Sequence, residues 1–143
     1  MPEEHAGSPN EADRFARARE KQSLALLEDY VELIGDLIAE TGEARVADIA
    51  NRMGVAQPTA TKTVARLRRE GLATSRPYRG VFLTDAGAAL ATRVRARHHM
   101  VIELLMAVGV PAATAEFDAE GIEHHVSETT LAAFEAFLKK RQG

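Results

Sequence analysis

The sequence contains no cysteine among its 143 residues, and this absence excludes several kinds of chemistry. Disulfides, thiolate catalysis, iron–sulfur clusters and cysteine-ligated zinc are all ruled out. Any bound metal must therefore be held by histidine, aspartate, glutamate, amide or backbone oxygen ligands. The chain is also too short for a large multidomain enzyme, and it has the size of one domain or of two small ones.

Long hydrophobic runs are absent as well. No stretch approaches the roughly 20 apolar residues that a membrane-spanning helix needs, and the first residues lack the basic flank and apolar run of a signal peptide. We therefore expect a cytoplasmic protein with no membrane partner. Hydrophobic residues make up 45% and charged residues 27% of the sequence, which is the balance of a chain that folds.

Basic residues are concentrated in one segment, although the whole chain carries a formal net charge of −3. Residues 45–80 contain eight arginine and lysine side chains but only two acidic ones, so the flanks hold the excess of acid. This asymmetry favours a nucleic-acid-binding segment joined to a region that tolerates or uses concentrated carboxylates.

Apolar residues recur at helical spacing through most of the chain. We interpret the first ten residues, which are rich in turn formers, as a mobile leader. Helices are predicted over residues 12–40, 46–53, 58–70, 85–108 and 111–126, with a last helix starting at Ser127 and short strands over 72–74 and 81–84. The sequence thus predicts a mainly α fold with a small β-hairpin, beginning with a winged helix-turn-helix.

The second helix of a helix-turn-helix enters the major groove with its first residues against base edges. Here that helix and the basic hairpin offer side chains that can read bases or contact phosphates. The candidate DNA-binding residues are Gln57, Pro58, Thr59, Thr61, Lys62 and Arg66 in the helix and Arg76, Tyr78 and Arg79 in the wing. A solvated surface is the alternative for any single charge, but the order of elements favours nucleic-acid binding.

Residues 118–125, Asp-Ala-Glu-Gly-Ile-Glu-His-His, are the most unusual string in the chain. On a helix Glu120, Glu123 and His124 share one face, whereas His125 lies well to one side. Two carboxylates and a glycine are unfavourable there unless a cation binds. Spacing alone leaves a metal site and a plain polar face equally open.

Further ligand-type residues lie on other predicted helices. Asp29 and Glu32 stand three residues apart on the first helix, where they either bind a metal or form its polar face. His98 lies on the buried face of the helix predicted over 85–108. It is either a metal ligand or a hydrogen-bonded core residue. Spacing only mildly prefers it to His99.

These motifs together resemble the manganese transport regulator branch of the diphtheria-toxin-repressor family of metal-dependent transcription factors. The resemblance runs from about residue 27 to 139 and is carried by residues 29–32, 57–59, 78–84, 97–98 and 118–125. It implies a homodimer with two winged-helix heads and a dimerisation region built from the last three helices. It also implies Mn²⁺, two ions per subunit, with the ligands Asp29, Glu32, His98, Glu120, Glu123 and His124.

The function implied by the resemblance is that of a manganese-responsive regulator, mainly a repressor of metal-uptake genes, in which metal fixes the heads of the homodimer on double-stranded DNA. The domains would be a partly disordered leader and helix extension (1–23), a winged helix-turn-helix DNA-binding domain (24–84) and a helical metal-binding and dimerisation domain (85–143). Neither an organic cofactor nor enzymatic activity is expected.

Three other interpretations stay open at this point. A winged-helix regulator of the same kind can respond to iron or to a small organic ligand instead of manganese. A dimetal hydrolase also uses carboxylates and histidines, but the sequence offers it no separate nucleophile and leaves the recognition helix unexplained.

Overall fold

Six helices and one hairpin follow each other in the computed structural model, which describes residues 10–142. Their bounds are α1 Glu11–Thr41, α2 Val46–Met53, α3 Gln57–Arg69, β1 Ala73–Arg76, β2 Gly80–Leu83, α4 Asp85–Ala107, α5 Ala112–His125 and α6 Glu128–Gln142. This order confirms the predicted fold, a winged helix-turn-helix followed by a helical region. Within residues 10–142, no helix combines the length and apolar character needed to cross a membrane.

The observed helix ends agree with the predicted ones to within one residue, because the local stop and start signals act as expected. Gly42 ends α1 in the left-handed conformation, with φ 82°. Pro58 lies in the first turn of α3, where its missing N–H has no helical partner to lose. Before α6, the backbone N–H of Thr130 donates to the hydroxyl of Ser127 at 3.2 Å.

The predicted mobile leader is wrong for its last residue. Asn10 is the N-cap of α1, since its side-chain oxygen accepts the backbone N–H of Asp13 at 2.8 Å. The rest of that leader, residues 1–9, lies outside the described residues. Helix α1 then continues without interruption through the predicted domain boundary after residue 23.

The strands of the hairpin are displaced from their predicted positions. In the antiparallel pair Ala73 lies opposite Leu83 and Arg76 lies opposite Gly80. The three-residue turn allows β1 to extend to Arg76, because Tyr78 and Gly80 both adopt positive φ angles, 65° and 92°. Thr84, which was predicted to end the second strand, instead caps α4 by accepting the N–H of Gly87 at 3.1 Å.

The core of the winged helix-turn-helix is built on one face of α1. The largest side chains without solvent contact come from several elements of this head, namely Tyr30, Val31, Ile34, Ile49, Leu67 and Val81. Val64 and Leu67 face inward from α3 as predicted. The wing is tied to this core because Val81 N–H donates to the carbonyl of Ala44 at 2.8 Å. A Cβ on Gly80 would lie 2.6 Å from that carbonyl oxygen, so only glycine fits.

A second, smaller core joins the helices of the C-terminal region. Val101 of α4, Ala119 of α5 and Leu131 of α6 are its buried members. Helix α4 also packs along α1, and α5 packs against both α1 and α4. Residues near position 30 of α1 are therefore brought against the middle of α4 and the second half of α5.

Candidate metal centre and DNA-reading face

The six predicted metal ligands come from three helices that pack together. Asp29 and Glu32 lie on α1, His98 lies on α4, and the remaining three lie on α5. Five of these six residues form two groups in which every ligand atom lies within 4.8 Å of the others. The first group is His98, Glu120 and Glu123, and the second group is Asp29, Glu120 and His124.

The first group lies between α4 and α5. Nδ1 of His98 is 2.7 Å from Oε2 of Glu123 and 3.7 Å from Oε1 of Glu120. His98 is half-buried, whereas its neighbour His99 is exposed. The rotation of α4 therefore decides between the two histidines, which their spacing could not do.

The second group joins α1 to α5. Nε2 of His124 is 2.8 Å from Oδ1 of Asp29 and 3.2 Å from Oε1 of Glu123. Glu120 belongs to both groups, and Glu123 contacts both histidines. The two groups thus share the carboxylate of Glu120, so two cations bound in them would be close neighbours.

Glu32 is the one predicted ligand outside both groups. It lies beside them, in a cavity of about 240 Å³ that Asp29, Glu32 and Glu120 line together. Burial and the nearby charge of Glu120 raise the pKa of Glu32. Its carboxylate therefore occupies an environment in which a cation would be stabilised.

The centre of the site contains buried polar atoms whose hydrogen-bonding capacity is not used. Glu123 has no solvent exposure, and neither its Oε1 nor Nε2 of His124 has a hydrogen-bond partner among residues 10–142. Asp29 approaches Nε2 closely, but without the alignment of a hydrogen bond. Burial raises the pKa of Glu123 to about 7 despite the two histidines.

His124 responds to the same surroundings in the opposite sense. Burial alone disfavours the charged ring, but contacts with Asp29 and Glu28 outweigh it and raise the pKa of His124 to about 10. A positive charge is thus stabilised where three carboxylates converge. Oxygen and imidazole ligand atoms, some of them buried without a hydrogen bond, fit a hard divalent cation.

Two residues near the centre, Glu28 and Arg97, were not predicted to take part in it. Oε1 of Glu28 lies 3.0 Å from Nδ1 of His124, and Oε2 forms an ion pair with Arg97. Burial would raise the pKa of Glu28, but these two partners lower it. No sequence spacing signals this contact, because Glu28 and Arg97 lie 69 positions apart.

The predicted DNA-binding residues of α3 lie on its outer surface near its first turns. Ala60, Val64 and Leu67 fix the orientation of this helix by facing the core. The outward residues Gln57, Pro58, Thr59, Thr61 and Lys62 are exposed, and Arg66 is half-buried. The helix therefore presents amide, hydroxyl and ammonium groups that suit base edges and phosphates.

The three predicted wing residues are exposed at the tip of the hairpin. Tyr78 is 96% exposed, and its carbonyl accepts a hydrogen bond from Nη2 of Arg45 at 3.3 Å. The guanidinium of Arg76 lies 4.7 Å from the centre of the Phe82 ring. Arg79 extends the same basic edge.

Two family models match the chain, one for each half. "Iron dependent repressor, N-terminal DNA binding domain" matches residues 24–81, and "Iron dependent repressor, metal binding and dimerisation domain" matches residues 84–142. The transcriptional regulator MntR of Escherichia coli O6:H1 is 52% identical over 126 residues, covering 88% of this chain and 81% of that protein. The chain belongs to the iron-dependent repressor family, in its manganese-regulator branch.

Other members of the iron-dependent repressor family are also similar. HTH-type transcriptional regulator MntR of Lysinibacillus sphaericus is 41% identical over 105 residues, covering 73% of this chain and 76% of that protein. The solved manganese regulator SloR has 27% identity and a TM-score of 0.69 over 79% of this chain and 53% of its own. A manganese-dependent transcriptional repressor complex with manganese has 27% identity and a TM-score of 0.66, over 78% and 51%. This chain thus spans about half the length of those two solved chains.

Proposed function

We propose that this protein is a manganese(II)-responsive DNA-binding transcriptional regulator, mainly a repressor of metal-uptake genes, that acts as a homodimer. The observation that carries the proposal is the pair of ligand groups sharing Glu120, because they link α1 of the reading head to α4 and α5. Relatives named manganese regulators support manganese as the effector. The domain descriptions of the family support DNA and a second copy as partners.

The proposed ligands are Asp29, Glu32, His98, Glu120, Glu123 and His124, and we propose two ions per subunit because the two groups share carboxylates. Bound ions would supply positive charge that neutralises these carboxylates. Mn²⁺ is a weak binder in the Irving–Williams order, so preference for it must come from ligand number, geometry and availability. The proposed operator-binding residues are those described on α3 and the wing.

The regulatory step follows from the positions of the ligands on the helices. Asp29 and Glu32 belong to the same helix as Ile34 and Leu37, which enter the core of the head. Repulsion between their carboxylates and those of α5 opposes a fixed arrangement, and neutralisation removes that repulsion. The two heads of a dimer then match major grooves about 34 Å or a multiple apart. By linkage, metal and operator must strengthen each other's binding equally.

Operator binding by the chelator-treated protein tests this function. DNA fragments that the Mn²⁺-loaded protein retains from its source genome are selected first, and their binding is then titrated with Mn²⁺, Fe²⁺, Zn²⁺ or no metal. We expect tight binding with Mn²⁺ and at least about 10-fold weaker binding without metal. A response to Fe²⁺ alone would favour the iron-responsive alternative, and binding that ignores every metal would favour a small organic ligand.

Protons should compete with the metal in a predictable way. Loading must displace the proton that His124 holds up to about pH 10 and the one that Glu123 holds up to about pH 7. We expect at least one proton released per subunit at pH 8 and more at pH 6, with affinity falling as the pH falls. Calorimetry in buffers of different ionisation enthalpy measures this number. His125→Gln, on the exposed face of α5, should leave it unchanged.

Lys62 provides a test of the proposed recognition helix. We expect Lys62→Ala to weaken operator binding about 10-fold at physiological salt and to reduce the salt slope by about one, as for a lost phosphate contact. The affinity for Mn²⁺ should not change. Lys140→Ala on α6 removes an equally exposed charge far along the chain and serves as the control. Equal losses in the two variants would mean that only overall charge matters.

The proposed dimer surface lies on the outer side of α5. Phe117 is 82% exposed, which is unusual for a large apolar side chain. One turn later, a Cβ on Gly121 would contact nothing among the described residues. A glycine inside a helix costs about 1 kcal/mol relative to alanine. Close packing of α5 against the α5 of a second subunit would explain why position 121 is a glycine.

We propose that a regulator that binds chromosomal DNA in this way acts in the cytoplasm, and we propose no catalytic role for it.

A further inference from the structure

A carboxylate behind the proposed ligands joins the same three helices. Glu28 of α1 lies 3.0 Å from Nδ1 of His124 on α5 through Oε1, and its Oε2 pairs with Nη2 of Arg97 on α4. The side chains of Glu28, Arg97 and His124 are 14%, 21% and 3% exposed. Each of them is itself a ligand candidate or lies next to one in sequence. The network therefore borders the metal centre on every helix that forms it.

The geometry of the imidazole ring separates the role of Glu28 from that of a ligand. The two ring nitrogens point in different directions, so the groups that contact Nδ1 and those that contact Nε2 lie on different sides of the ring. Nε2 of His124 faces Asp29 and Glu123, which belong to the ligand groups. Nδ1 faces Glu28, whose second oxygen is already held by Arg97. Glu28 thus lies on the far side of the ring from the proposed ions.

We infer that Glu28 is a positioning residue that accepts the Nδ1–H of His124, so that Nε2 is directed into the ligand group, and that Arg97 holds Glu28 in place. An N–H···carboxylate bond fixes both the orientation of a metal-binding imidazole and the nitrogen that keeps its lone pair. The inference rests on the proposed metal function, because it concerns residues behind the same site.

A purely structural role for the Glu28–Arg97 pair makes a different prediction. In that case the pair only fastens α1 to α4, as the exposed pair of Asp36 and Arg95 also does, and metal affinity would change only as far as stability changes. A positioning role requires that metal affinity depend on an acceptor for Nδ1–H at position 28.

Two substitutions of Glu28 separate these roles when Mn²⁺ binding to the full chelator-treated protein is measured by calorimetry. Glu28→Leu removes the acceptor, and we expect Mn²⁺ affinity to fall about 10- to 100-fold. Glu28→Gln keeps an acceptor oxygen, so we expect most of the affinity to return. Ile49→Val, in the core of the head, lowers the melting temperature without touching the site. It should bind Mn²⁺ like the wild type.

A spectroscopic readout identifies the nitrogen directly. In protein with ¹⁵N-labelled histidine and ¹¹³Cd²⁺ as a diamagnetic ion, we expect cadmium coupling to Nε2 of His124 and a protected proton on Nδ1. That proton should exchange faster in Glu28→Leu than in Glu28→Gln.

Three results would overturn the inference: cadmium coupling to Nδ1 of His124, wild-type Mn²⁺ affinity in Glu28→Leu, or an equal loss of affinity in Ile49→Val at matched melting temperature. A wild-type protein that binds neither ion would instead defeat the proposed function, and this inference with it.

Discussion

Glu123→Gln should lower the affinity for Mn²⁺ by more than about 100-fold and leave the metal-free protein at least as stable as the wild type. Glu123 contacts both His98 and His124, so its loss affects both ligand groups. Substitution of groups that only support ligands already costs 10- to 100-fold, and removal of a shared carboxylate should cost more. Calorimetric titration with Mn²⁺ measures the loss.

The stability of the metal-free Glu123→Gln variant should follow from the raised pKa of Glu123. The folded protein holds the proton up to about pH 7, whereas the unfolded chain releases it near the ordinary value of 4.5. The cost of the buried carboxylate therefore grows as the pH rises from 4.5 through about 7. A neutral amide avoids this cost, so thermal melting at pH 8 should be unchanged or higher.

The control for this experiment is Glu116→Gln, an exposed position on the same helix. It should change neither the affinity for Mn²⁺ nor the melting temperature. If Glu123→Gln instead melts lower in the absence of metal and keeps its affinity, Glu123 is a structural residue and the ligand assignment fails.

Phe117→Asp should weaken the dimer by at least about 100-fold while each subunit still binds Mn²⁺. Burial of one phenylalanine contributes about 2 kcal/mol, and in a two-fold interface the same residue counts twice. The introduced charge adds a desolvation cost. Sedimentation of the Mn²⁺-loaded protein measures the dissociation constant.

Metal binding by the separated subunits is the informative second measurement for Phe117→Asp. Both ligand groups come from one chain, so the stoichiometry of Mn²⁺ should remain that of the wild type, whereas operator binding should be lost with the dimer. Phe15→Asp alters another exposed phenylalanine, near the start of α1, and should leave the dimer intact. Dimers of unchanged strength in Phe117→Asp would move the interface elsewhere.

The helices were predictable because their limits depend on local chemistry. Gly42, Pro58 and Ser127 mark helix ends through contacts within one or two turns. The apolar residues of the helices on either side recur with a 3.6-residue period. The hairpin was less accurate, since its register depends on the positive φ of Tyr78, which no residue type at that position signals. Thr84 was assigned to the second strand although it directly precedes the predicted helix over 85–108, where a threonine commonly serves as the N-cap.

The candidate site was predictable only in part, for a different physical reason. Helical spacing grouped Glu120, Glu123 and His124, because they share one helix. It did not decide between His98 and His99, which differ by a rotation that tertiary packing sets. It also gave no indication of Glu28 and Arg97, whose contact joins distant parts of the chain.

Helix α1 is one continuous helix of 31 residues that carries the proposed ligands Asp29 and Glu32 as well as residues that pack into the core of the head. Each residue advances the helix by about 1.5 Å and turns it by about 100°. The insertion or deletion of one residue between Glu32 and Ile34 would therefore rotate the face that carries Asp29 and Glu32 by about 100° relative to the face that packs into the head. Regulation would depend on the relative angle of these two faces, so this part of α1 should tolerate a change of length poorly.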